Sequence, residues 1–236
     1  MTPKLLTELV GTFLFLSVIA LSQAAGPLAP IAIGGVLMVV VYMGGPISGG
    51  HFNPAVSLGV WLRREIDVVT MLTYWLVQLI GATLAFVFGY MVSGHTPGIV
   101  PGPHVTWIQA LAVETVFTGL LVVTVLNVAV TKATAGNSYF GLAIGFAIVV
   151  AAFAGGPVSG GAFNPAVGWG ATLGKALFGG GNFDWFWVYV IGPLLGGAIA
   201  AGIHWVQIAR TETPSVATRN DPSERAFAAE TSEPRH

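Results

Sequence analysis

Two copies of the tripeptide Asn-Pro-Ala are the residues of this chain best suited to form a site. The copies are Asn53, Pro54 and Ala55, and Asn164, Pro165 and Ala166. Asparagine is a strong helix N-cap, and proline is favoured at the first helical position because its missing N–H would have no partner there. Each copy therefore predicts the abrupt start of a helix whose tip carries an amide that can donate hydrogen bonds to a solute.

The two tripeptides belong to a longer repeat. Residues 45–56 read Gly-Pro-Ile-Ser-Gly-Gly-His-Phe-Asn-Pro-Ala-Val, and residues 156–167 read Gly-Pro-Val-Ser-Gly-Gly-Ala-Phe-Asn-Pro-Ala-Val, without a gap. The apolar stretches Phe52–Trp61 and Phe163–Leu173 are only about half as long as a membrane-spanning helix. Such lengths predict re-entrant segments that enter the membrane and return to the same side.

The composition predicts that lipid surrounds the protein. Charged residues make up 8% of the chain and hydrophobic residues 54%, whereas soluble domains carry about 25% charged residues. Six long apolar stretches predict membrane-spanning helices: Leu5–Ala25, Ala29–Pro46, Val68–Val92, Thr106–Val130, Ser138–Gly156 and Trp185–Ala209. The first is too long for a typical signal-peptide core and lacks a convincing cleavage site, so it is interpreted as a helix.

The repeat predicts an all-α membrane fold in two inverted halves. The first repeat with its linker covers residues 1–130 and contains a half-helix at 53–62. The second begins near residue 106, continues through 131–210 and contains a half-helix at 164–174. Three spans per repeat is an odd number, so the second copy must be inverted. Residues 211–236 are rich in Thr, Ser, Pro, Glu and Arg and predict a disordered cytoplasmic tail.

Inversion brings the two half-helices together near the middle of the membrane. Each helix N-terminus carries roughly half a positive elementary charge, so the fields would converge at Asn53 and Asn164 and oppose cations, including protons. Glu8 and Glu114 occupy related positions in the first and fourth spans. Carboxylates within spans suggest a proton relay, but the repeat symmetry favours a second role, in which each accepts hydrogen bonds from a re-entrant loop.

The paired Ser-Gly-Gly-x-Phe-Asn-Pro-Ala-Val motifs resemble the signature of the aquaporin, or major intrinsic protein, family. The resemblance covers about residues 4–209 and includes three further patterns: Glu8…Gly11-Thr12-Phe13, Tyr74…Gln78…Gly81-Ala82 and Tyr189…Gly192-Pro193…Gly196-Gly197. It implies a homotetramer in the lipid bilayer with one pore per protomer. It also implies a channel without covalent chemistry, so neither an enzyme nor a cofactor is expected.

One departure from the family concerns the narrowest part of the pore. Most members have arginine three residues after the second asparagine, where this chain has Val167. The resemblance places the other three constriction positions at Ile33, Ala152 and Gly161. Valine removes a permanent cation and its fork of donors, which predicts a wide, apolar selectivity filter guided mainly by backbone carbonyls near Gly160 and Gly161. The pattern is similar to Arg-less bacterial aquaglyceroporins linked to arsenical efflux.

These features predict a passive channel for small neutral solutes. The expected solutes are water, glycerol-like polyols and metalloid acids such as arsenite, extending to methylated arsenicals. The alternatives are a water-selective aquaporin, a secondary transporter built on inverted repeats, and a non-conducting scaffold. A transporter would need a titratable group near the midplane, and the motifs supply only asparagine there. The sequence does not determine whether the absence of the arginine makes permeation by anionic solutes easier or harder.

Basic residues near the span ends predict the orientation. With the N-terminus inside, Lys4, Arg63, Arg64, Lys132 and Arg210 are inside and only Lys175 is outside. The expected location is therefore the cell (inner) membrane, multi-pass, with both termini cytoplasmic.

The remaining candidate groups carry less weight. The net charge of −1 gives no basis for nucleic-acid binding. His51 is expected in the pore wall, with a pH switch as the less favoured role. The pair His95 and His104 supplies too few ligands for a typical zinc site, so no metal is expected.

Overall fold

The computed structural model describes residues 1–211, where the regular structure is helical and no strand occurs. Six helices in this range are long and apolar enough to span a membrane: α1 (Pro3–Leu21), α2 (Ala29–Ser48), α4 (Val68–Ser93), α5 (Trp107–Val125), α6 (Phe140–Ser159) and α8 (Val188–Thr211). Two shorter helices are α3 (Pro54–Leu62) and α7 (Pro165–Phe178). The predicted fold class of six spans and two half-helices is confirmed. The predicted tail lies outside the described residues, apart from Thr211.

Polar side chains cap the starts of three of the spans, α1, α4 and α5. Thr2 accepts a hydrogen bond from a backbone N–H of the first turn of α1, and Pro3 occupies the first helical position. Asp67 caps α4 in the same way. Thr106 and Gln109 form a reciprocal capping box at α5. These caps satisfy N–H groups that have no partner within the helix.

The helix packing repeats across the two halves of the chain. Helix α1 packs on α4 as α5 packs on α8, and α2 packs against α6 where the halves meet. Helix α3 contacts α8, and α7 contacts α4, so each half-helix also packs on the third span of the other repeat. Glycine permits these close approaches: a Cβ atom on Gly145 would lie 2.6 Å from the carbonyl oxygen of Gly34.

Two predicted spans end too early. The predicted second and fifth spans end at Pro46 and Gly156, but α2 and α6 continue to Ser48 and Ser159. Both helices instead end at a glycine with a left-handed backbone, Gly49 at φ +94° and Gly160 at φ +93°. Left-handed glycine is a common helix C-cap, and in this protein it decides the boundary more strongly than the preceding proline.

The second half-helix is also longer than predicted. It continues past residue 174 to Phe178, whose ring stacks on Tyr90 of α4 at a centroid distance of 4.2 Å. Gly170 and Gly174, which weaken a helix by propensity, pack against Phe86 of α4. Tertiary packing therefore stabilises turns that the glycine content of the segment argues against.

Candidate functional site

Helices α3 and α7 begin with the same capping geometry. The Asn53 side-chain oxygen accepts a hydrogen bond from the Ala55 N–H at 2.8 Å, and Asn164 accepts one from Ala166 at 2.9 Å. Both asparagines have extended backbones and are buried. The sequence-predicted N-cap geometry is therefore present at both tips.

The two tips are joined by reciprocal hydrogen bonds. The amide nitrogen of Asn53 donates to the carbonyl oxygen of Phe163 at 3.0 Å, and that of Asn164 donates to Phe52 at 2.9 Å. A primary amide has two N–H groups, so each asparagine keeps one donor after this bond. Both asparagines line the central cavity, where the second donor can meet a solute.

The loops leading to the tips have an unusual backbone. Phe52 and Phe163 have φ values of +48° and +49°, and Gly50 and Gly161 are also left-handed at +63° and +75°. A non-glycine residue in this region costs roughly 1–2 kcal/mol. Contacts from the spans must therefore hold the loops in place.

Glu8 of α1 supports the first loop from within the bundle. Its carboxylate is buried and accepts four hydrogen bonds, from Ser48 Oγ at 2.7 Å, His51 N at 2.9 Å, Phe52 N at 2.8 Å and Gln78 Nε2 at 2.9 Å. Two of the donors are backbone N–H groups of the loop itself. The contacts are those of a loop-supporting carboxylate.

Glu114 of α5 contacts the second loop in the same way, with one donor fewer. It accepts from Ser159 Oγ at 2.7 Å, Ala162 N at 2.9 Å and Phe163 N at 2.6 Å. Pro193 stands where the repeat would place a counterpart of Gln78. The roles of Gln78 and of the two serines were not predicted from the sequence, although each serine opens a repeated Ser-Gly-Gly motif.

A narrow cavity of about 40 Å³ lies between the spans. Ile33, Ala152 and Gly161, three of the predicted filter residues, line it together with both motif asparagines. Most of the remaining wall consists of aliphatic and aromatic side chains of α1, α2, α5 and α6. The cavity therefore offers a few donors and carbonyls on an otherwise apolar surface.

Two of the residues predicted for the filter and the pore wall, Val167 and Gly160, do not line this cavity. Val167 is only 1% exposed and belongs to the hydrophobic core, and Gly160 packs beside Ile99 and the carbonyl of Val100. The structure brings Val167 into the first turn of α7, close to its capping asparagine. Its part in the filter, and that of Gly160, stay predictions.

His51 lines the cavity beside the first motif. Its Nδ1 lies 3.0 Å from Ser57 Oγ, and its ring packs edge-on against Tyr74. These contacts fit a fixed pore-wall group, and the less favoured pH switch stays a prediction. Within residues 1–211, no group of three or more metal-binding side chains occurs, and His95 instead contacts its neighbour Ser93.

Comparisons with known proteins agree with this geometry. The family model described as major intrinsic protein matches residues 2–204. Aquaporin TIP2-3 of Zea mays is 36% identical over 213 residues, which cover 84% of each chain. Aquaporin-8 of Rattus norvegicus is 40% identical over 205 residues, covering 80% of this chain and 75% of that protein.

A solved structure is similar in fold. The aquaglyceroporin of Plasmodium falciparum aligns with a TM-score of 0.71 and 21% identity, covering 85% of this chain and 95% of its own. The family match, the two relatives and the paired half-helices point to the same conclusion. This multi-pass membrane protein belongs to the major intrinsic protein family of channels.

Proposed function

We propose that the chain is a passive channel for small uncharged solutes that include molecules larger than water. The proposed solutes are water, glycerol-like polyols and neutral metalloid acids such as arsenous acid, extending to methylated arsenicals. The observation that carries the proposal is the apolar cavity wall at Ile33 and Ala152. Val167 stands where most family members have arginine, so this wall has no guanidinium from that position.

The cavity wall suits solutes with one polar and one less polar side. A polyol or a metalloid acid can accept a hydrogen bond from the free amide N–H of Asn53 or Asn164. Its carbon or arsenic side can face the aliphatic residues without loss of hydrogen bonds. A strongly hydrated ion cannot replace its water shell with so few polar groups.

Exclusion of cations then depends mainly on the two helix tips. The positive ends of α3 and α7 converge where Asn53 donates to the Phe163 carbonyl and Asn164 donates to the Phe52 carbonyl. Each end carries roughly half an elementary charge. Half-helix dipoles of this kind are a known barrier to protons in aquaporin-type pores. Without an arginine at position 167, the dipoles supply most of the positive potential.

We further propose a homotetramer in the inner cell membrane with both termini in the cytoplasm. The basic residues Lys4, Arg63, Arg64 and Lys132 support this orientation, since six spans place both termini on one side and these residues lie at that side.

Stopped-flow measurements on proteoliposomes test the proposed function. We expect flux of water, glycerol and arsenous acid that does not saturate and does not depend on an ion gradient. Val167→Arg should reduce glycerol and arsenous acid flux more than water flux. Val167→Met is the matched control for added bulk without charge, and it should leave the ratio of the fluxes closer to that of the unmodified protein.

The alternatives give different results in the same assay. Permeation by water alone would refute the wide-filter proposal. Saturable flux driven by an ion gradient would favour a secondary transporter, and absence of any flux would favour a scaffold.

A further inference from the structure

A groove separate from the pore lies between the end of α3 and the outer face of α8. It is open to solvent and has a volume of about 580 Å³. Its lining residues are Leu62, Arg63, Arg64, Ala198, Ala201, Gly202 and Trp205. None of them lines the central cavity, so the groove has no part in the proposed conduction path.

The two arginines are held at one end of the groove by the turn that closes α3. Arg63 donates its backbone N–H to the Gly59 carbonyl at 3.1 Å, and Arg64 has a left-handed backbone with φ +62°. The Arg63 Nε atom is buried and has no acceptor among the described residues. The nearby carboxylate of Asp67 accepts two hydrogen bonds from Thr70 instead.

The floor of the groove is a strip of small residues on α8. Ala198, Ala201 and Gly202 follow helical spacing, so they share one face. A Cβ atom on Gly202 would have nothing within 4 Å. From Ala198 to Trp205 the strip extends about 10 Å along the helix at 1.5 Å per residue. It is therefore long and shallow enough for part of an acyl chain.

Large apolar side chains flank the charged end. Trp205 is 64% exposed and Leu62 41% exposed. Tryptophan is enriched where a span meets the headgroup layer. The groove thus combines two cations with an apolar floor and an exposed tryptophan.

We propose that this groove binds an anionic phospholipid. Its phosphate contacts Arg63 and Arg64, and one acyl chain lies along Ala198, Ala201 and Gly202. Basic pockets beside spans at the membrane surface suit anionic headgroups, and arginine binds phosphate through paired donors. Cations also suit the C-terminal end of α3, but that effect explains neither the open floor nor the exposed tryptophan.

Native mass spectrometry of the full-length protein tests the proposal. Dioleoyl phosphatidylglycerol and dioleoyl phosphatidylcholine are titrated separately into the detergent-solubilised protein. We expect phosphatidylglycerol to bind more tightly. Arg63→Gln and Arg64→Gln should each weaken that binding on the order of fivefold. The matched control is Lys175→Gln, which removes a cation from α7 at the other end of the bundle and should leave binding unchanged.

A second variant tests the acyl-chain part of the groove. Gly202→Leu fills open space on the floor, so the protein should keep its size-exclusion profile while phosphatidylglycerol binding falls. Equal binding of both lipids would overturn the proposal, as would binding that the arginine variants leave unchanged. Competition by inorganic phosphate at the same concentration as the lipid would instead assign the site to a soluble anion. Solute flux does not enter these measurements, so they stand apart from the proposed function.

Discussion

Replacing Glu8 by glutamine should destabilise the protein more than the same change at Glu114. Glutamine keeps one oxygen acceptor and replaces the other oxygen with a donor. In the first repeat, an amide nitrogen at the Oε2 position would face two donors, the Phe52 N–H and the Gln78 amide. In the second repeat it would face only the Phe163 N–H.

The size of the effect follows from the number of orphaned donors. Leaving a buried donor without its acceptor costs roughly 1–3 kcal/mol. Glu8→Gln therefore loses about 2–6 kcal/mol, and Glu114→Gln about 1–3 kcal/mol. Part of each loss is offset because a buried charge is removed, and that offset is similar for the two carboxylates since both are fully buried.

Thermal unfolding in detergent, followed by circular dichroism, measures this difference. Glu8→Gln should have the lower midpoint, Glu114→Gln an intermediate one, and the exposed control Glu65→Gln the midpoint of the unmodified protein. Water flux in proteoliposomes should fall in the same order. Both loops carry strained phenylalanines, so the loop that loses more hydrogen bonds to its carboxylate should be displaced more from the pore. Equal midpoints for the two buried variants, or a larger loss at Glu114, would refute the reasoning.

Three further outcomes are expected. Gly145→Ala should lower the free energy of unfolding by about 1–3 kcal/mol, because the new Cβ on α6 would meet the Gly34 carbonyl oxygen on α2. The control Gly35→Ala, whose Cβ would meet nothing within 4 Å, should not. Thermal unfolding midpoints check both variants. Asn53→Asp should raise proton leak in liposomes loaded with a pH-sensitive dye, since a carboxylate replaces a donor at the converging helix tips; unchanged leak would contradict the dipole argument. Hydrogen bonds from Thr70 lower the Asp67 pKa below its usual 3.8; the backbone N–H has the larger effect and the hydroxyl the smaller. A lowered pKa means that the cap stabilises fully above about pH 3.8 and that this contribution is lost as the pH falls through the folded value. The unfolding midpoint of Asp67→Asn, measured across a series of acidic pH values, should therefore lack the part of the acid-induced fall that comes from protonation of Asp67.

The spans and half-helices could be predicted because their signals are local. Long apolar stretches mark the spans, and Asn-Pro pairs mark the starts of α3 and α7. The ends were harder to predict: α7 reaches Phe178, whose ring stacks on Tyr90. That contact joins residues far apart in sequence.

The site was predicted in its residue types more fully than in its contacts. Repeat symmetry identified Glu8 and Glu114 as partners of the loops, but the cross-bonds from Asn53 and Asn164 to phenylalanine carbonyls depend on how closely the tips meet. The fourth donor to Glu8, Gln78, breaks the repeat symmetry, so an argument from symmetry could not find it. The burial of Val167 likewise depends on tertiary packing.

The exchange of half-helices between the repeats has a consequence for biogenesis. Helix α3 packs on α8, the sixth span along the chain, and the Asn53 amide donates to a carbonyl 110 residues downstream. A nascent chain that stops before residue 163 can insert several spans but lacks the acceptor for its first motif. Completion of the conduit is therefore a late step in synthesis, and a truncated translation product would occupy the bilayer without opening a path through it.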